Sequence, residues 1–171
     1  MAIPLENVVP VSVEDTVRDA VCKAMEYARQ KSGCASGAAL QARLAARDEW
    51  AMGYLSYAVA GNIAASVAAL DQRIQEAHLL GLEGGDEGAA SHPAVLILTV
   101  TCRTAALDSI VARVTEILPR VLGEIAGLDQ ESSACFMDVE VVEEADVGMR
   151  KGLGAAVGSL WTPPLKVWAR K

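Results

Sequence analysis

At 171 residues the chain has the length of one domain, large enough to bury roughly two-thirds of its unfolded surface. A formal net charge of -7 argues against nucleic acid or anionic membrane as partners, because phosphate binding rests on clustered Lys and Arg. With 52% apolar but only 4% aromatic residues, the core is expected to consist of Ala, Val and Leu, which favours close helix packing over ring-lined pockets, disfavours a cofactor stacked on rings and leaves any cofactor unknown.

The opening MAIPLENVVPV lacks a basic region followed by an apolar core, so no secretory signal is read and the cytoplasm is the expected compartment. Cys22, Cys34, Cys102 and Cys135 are widely spaced and form no C-x-x-C pair, so they read as reduced thiols. With only His78 and His92 to join them, no metal site is expected. Residues 7–11, interrupted by Pro10, read as an extended lead-in or an edge strand.

Ser12 followed by Asp15 is an acidic variant of the capping box and predicts a helix from Val13. Val13, Val17, Ala20, Val21, Ala24 and Ala28 form its inner stripe, and Lys31, Ser32 and Gly33 signal its end. Ser36 can cap a second helical region running to Leu80, with Gly81 as its stop and Asp71 to Leu80 as its amphipathic end. Unbroken, that region would reach roughly 65 Å, too long for a compact domain, so a break is expected at Ala46 to Asp48 or at Gly53 or Gly61. Within it Trp50 to Leu70 carries no charge. Its bulky residues Leu55, Val59, Ile63 and Val67 recur at helical spacing, and Gly53, Ala60, Gly61 and Ala64 form a groove of small residues. The run is long enough for a bilayer, but Asn62 at its middle and mixed flanking charges favour a core or subunit-interface helix.

Residues 82–92 are rich in Gly and acid and read as a loop, whose Asp86 and Glu87 lack the regular ligand spacing of a calcium site. Ala94 to Thr101 is apolar on both faces and predicts a central strand. Leu107 to Ile125 follows at helical spacing, with Pro119 expected to kink or divide it and Gly127 to stop it. Phe136 to Val142 predicts the next strand, parallel to the first across a right-handed crossover, unless the N-terminal strand lies between them. A short helix is expected from Ala155 to Leu160. Beyond it, Trp161 to Trp168, with Pro163 and Pro164, reads as an extended arm that packs on the domain or on a neighbouring subunit.

The whole predicts an α+β fold in which N-terminal helices, including a long central one, pack on a small sheet containing a strand-helix-strand unit. A single domain is expected, with a mainly helical half over 1–81, a loop over 82–93, a strand-helix-strand-helix half over 94–160 and the arm over 161–171.

The sharpest chemical candidate is Cys102-Arg103-Thr104, at a strand end and helix start where free N–H groups attract anions. There Arg103 and Thr104 are ligand-binding candidates and Cys102 a catalytic one, with Arg150 and Lys151 reaching the same edge if the strands are parallel. Trp50, Tyr54 and Tyr57 share one helix side, as a packing stripe or a pocket wall. Asn62 needs hydrogen bonds, which a second copy could supply. Glu76 and His78, two apart on a helix, would face different ways, and His92 before Pro93 reads as loop structure.

The function expected is a homo-oligomeric protein-interaction or small-ligand-binding module, self-associating through the Trp50–Leu70 helix and the Trp161–Trp168 arm. The alternative is a small enzyme acting on an anionic metabolite at the Cys102 edge.

Overall fold

A computed structural model describes residues 12–81, 93–161 and 163–171. The expected N-terminal strand over 7–11 and the loop carrying Asp86, Glu87 and His92 lie outside the described residues. Among the described residues are seven helices and one four-stranded mixed sheet, an α+β architecture with a long helix on a small sheet.

Helix α1 (Val13–Lys31) starts where Ser12 Oγ accepts from the Asp15 N–H at 3.0 Å and buries Val17, Ala20, Val21, Ala24 and Ala28. Gly33, at φ +66°, turns the chain into α2 (Gly37–Ala45), capped by Ser36. The break falls at Ala46 to Asp48, the first of the expected places. Arg47 takes φ +56°, and Asp48 caps α3 (Glu49–Leu70) by accepting from Ala51 N at 2.8 Å. Arg43 secures this corner, donating to the Ser32 carbonyl at 2.8 Å and pairing with Asp48 at 2.9 Å. Gly53 and Gly61 lie inside an uninterrupted α3.

The helix does not continue to Leu80. Asp71 leaves the helical region at φ -136°, its carboxylate accepts from the Arg73 N–H at 2.9 Å, and the chain enters strand β1 (Ile74–Leu80). The expectation of an amphipathic helix end over 71–80 is therefore corrected. Ten backbone positions that periodicity assigns to a helix are instead a capped turn and a strand paired on both sides.

Strand β2 (Ala94–Val100) runs antiparallel to β1, and α4 (Ala105–Ala126) crosses over to β3 (Met137–Glu143), which pairs with β2 in parallel. Direct pairing leaves no room for another strand between β2 and β3. Helix α4 is not divided at Pro119, although the ring leaves the Thr115 carbonyl without its usual donor. It ends at Gly127, φ +70°. Helix α5 (Gln130–Ala134) leads into β3, and α6 (Glu144–Met149) and α7 (Leu153–Val157) follow it. α6 and α7 pack so closely that a Cβ on Gly154 would sit 2.5 Å from the Asp146 carbonyl. Strand β4 (Leu165–Ala169) then pairs antiparallel with β1, giving the order β3-β2-β1-β4. The expected arm thus packs back over residues 165–169 only, as an edge strand, while Trp161 at its start stays exposed. Arg170 fastens it by donating to the carbonyls of Ile74, Ala68 and Asp71 at 2.8, 3.1 and 3.2 Å.

The core lies on one sheet face. Ala77 and Leu79, Leu96, Leu98 and Val100, and Met137, Val139 and Val141 point into it, as strand alternation requires, and meet the buried residues of α1, α3 and α4. By length and composition α3 could cross a membrane. Half of its most apolar window is buried, where it packs against α1 and β4. Beyond Gly53 the small-residue groove is filled within the chain: Ala60 and Ala64 are fully buried, and a Cβ on Gly61 would lie 3.6 Å from the Val167 carbonyl. Asn62 meets its need locally by donating to the Ala58 carbonyl at 2.8 Å.

Candidate functional site

The parallel register pairs Val100 with Glu143, which brings the end of β3 beside the turn that starts α4. Thr104 caps the helix, accepting from the Leu107 N–H at 3.3 Å. The Arg103 N–H, a natural anion donor at this turn, donates to Glu143 Oε1 at 2.8 Å. The Arg103 guanidinium pairs with Asp108 at 2.7 Å. The Arg103 side chain, expected to meet a ligand, thus meets a carboxylate of the chain, as does its backbone N–H. The adjoining groove of about 480 Å³, along the free edge of β3, adds Glu116 and Glu140 and so favours cations over anions. Cys102 is exposed beside it.

Arg150 and Lys151 are exposed after α6, Arg150 in the left-handed conformation at φ +52°. Lys151 lines a separate recess with Asp146, Val142 and Gly154. Arg103 and Lys151 open onto different hollows, so the two are not brought to one pocket.

Because residues 74–80 form a strand, Glu76 and His78 lie on one face, with His78 Nε2 3.4 Å from Glu76 Oε2, so their expected separation is corrected. Lys166 on β4 completes the group at 2.6 Å from Glu76. His78 is 5% exposed and its Nδ1 has no partner among the described residues. Burial holds its imidazole below the ordinary value; the Glu76 carboxylate opposes this and the Lys166 ammonium reinforces it.

An aromatic-lined concavity lies elsewhere, between the start of α3, the C-terminal half of α1 and the start of β4. Its volume is about 390 Å³, and Tyr27, Glu49, Trp50, Gly53, Tyr54, Tyr57 and Leu165 line it. The α3 residues recur at the spacing of one helix face, as the sequence indicates. The rings form two tilted pairs, Tyr27 with Tyr57 at 5.8 Å and 39°, and Trp50 with Tyr54 at 6.3 Å and 36°. Gly53 leaves the floor between them open, since a Cβ there would meet nothing within 4 Å. All three tyrosines and one of the three tryptophans of this aromatic-poor chain converge here. Trp50 is 71% exposed, so its ring is displayed rather than used as core. Tyr27 and Leu165 come from distant elements, and only the α3 aromatics carry a sequence signal for the groove.

Comparison with protein-family models, curated proteins and solved structures gives no match to this chain.

Proposed function

We propose that this protein is a small-ligand-binding module whose ligand seat is the aromatic groove of Tyr27, Trp50, Tyr54 and Tyr57. The observation that carries the reading is the gathering of scarce rings around an open glycine floor, with a large aromatic surface left in water. Helix α3 supplies a rigid wall because its opposite side is locked in the core. A neutral apolar fluorophore, phenylnaphthylamine, tests the reading. Its emission is expected to rise saturably with one site per chain and to lose most of that rise in Trp50→Ala and Tyr57→Ala. An equal rise in the variants would refute a seat in this groove.

We also read the module as self-associating, on a separate observation. Leu160 and Trp161 are adjacent and 84% and 95% exposed, an arrangement that a contact with a second copy would cover. The enzymatic alternative at Cys102, with Arg103, Thr104, Arg150 and Lys151 holding an anionic metabolite, has less support. Glu143 already takes up the Arg103 backbone N–H, and Asp108 takes up its Nε–H.

A further inference from the structure

We infer that the groove selects a small organic cation, a quaternary or heavily alkylated ammonium compound bearing no acid group; this rests on reading the groove as a ligand seat. Aromatic ring faces carry the negative end of the ring quadrupole, and four rings line one cavity of about 390 Å³. The charged residue among its lining is Glu49, an exposed carboxylate, and no Lys or Arg lines it among the described residues. One of these rings already draws a cation: Lys31 Nζ lies 5.7 Å from the Tyr27 centroid, on a flexible side chain that can swing away. The net charge of -7 disfavours an anionic guest on approach.

The ring chemistry also separates ammonium types. A primary ammonium is strongly hydrated and needs several acceptors to replace its water, and one carboxylate cannot supply them. A trimethylammonium group sheds less hydration, spreads its charge over methyl groups and meets the rings by dispersion as well as by charge. The volume lies near the lower end of the roughly 300–1,000 Å³ of small-ligand sites, which fits a compact guest.

The test is calorimetric titration of the intact chain, at about 0.15 M salt to screen the general charge. The probes are choline and its uncharged carbon analogue, in which a tert-butyl group replaces trimethylammonium. Choline is expected to bind roughly tenfold more tightly than the analogue. Glu49→Gln is expected to weaken choline about three- to tenfold while leaving the analogue within about twofold. Trp50→Leu keeps apolar bulk at an exposed position and is expected to narrow the preference. Choline binding no tighter than its analogue overturns the inference but leaves the groove as a ligand seat. Silence from both probes overturns it too, and the seat itself then stands or falls on the neutral fluorophore and its groove variants.

Discussion

The backbone N–H of Arg103 donates to Oε1 of Glu143 at 2.8 Å, so the turn that opens α4 holds an internal carboxylate. Removing that carboxylate exposes the turn. In Glu143→Ala, phosphate at constant ionic strength is expected to raise the melting temperature by on the order of 1–2 °C. The unsubstituted protein should show no such rise. An unresponsive variant would show that this helix start has no anion affinity for Glu143 to satisfy.

Two glycines predict opposite outcomes. At Gly154 a methyl group would meet the Asp146 carbonyl at 2.5 Å, and backbone cannot step aside as a side chain can. Gly154→Ala is expected to cost about 2–3 kcal/mol in urea unfolding. At Gly53 a methyl group meets nothing within 4 Å and relieves the entropy of a mid-helix glycine, so Gly53→Ala should gain about 0.5–1 kcal/mol. The same methyl rises into the groove floor. Phenylnaphthylamine binding should weaken as stability rises, and unchanged binding would argue against this floor.

His78 predicts a pH dependence whose sign follows from burial. Its folded imidazole is held below the ordinary value near 6.5, so an unfolded chain takes up this proton first as pH falls. Its contribution is complete above pH ~6.5 and declines as pH drops from there through the folded value. Urea unfolding at about pH 7.5 and about pH 5.5 should show lower stability at the acid end, and His78→Gln should shrink that difference. An undiminished difference would assign the effect to other groups.

Leu160 and Trp161 predict the assembly state. In sedimentation velocity the protein is expected to run heavier than one chain, and the double variant Leu160→Ser, Trp161→Ser to run as one chain with unchanged circular dichroism. A monomer without substitution would remove self-association through these residues.

The parts of the fold legible in the sequence are those fixed by neighbouring residues. Ser12, Ser36 and Thr104 cap helices within three positions of themselves, and Asp48 does the same at a corner where rising polarity marks the break. Strand β1 escaped because Ile74, Ala77 and His78 continue the α3 spacing with no Gly or Pro between them. What makes it a strand is distant: β2 on one side and β4 on the other. The site divides the same way. Trp50, Tyr54 and Tyr57 are visible as one helix side, while Tyr27 and Leu165 reach the groove only through tertiary packing. At the Cys102 edge the type of turn was legible. The carboxylate filling it, 40 positions away, was not.

The clasp of Arg170 on the Ala68 carbonyl spans 102 positions. A ribosome adding about 5–20 residues per second needs roughly 5–20 s to cover that distance. Throughout that interval β1 has an open outer edge, and the Gly61 side of the long apolar helix α3 waits for the strand that will cover it. Until β4 has been made, that edge and that helix side are therefore open to mispairing with another copy.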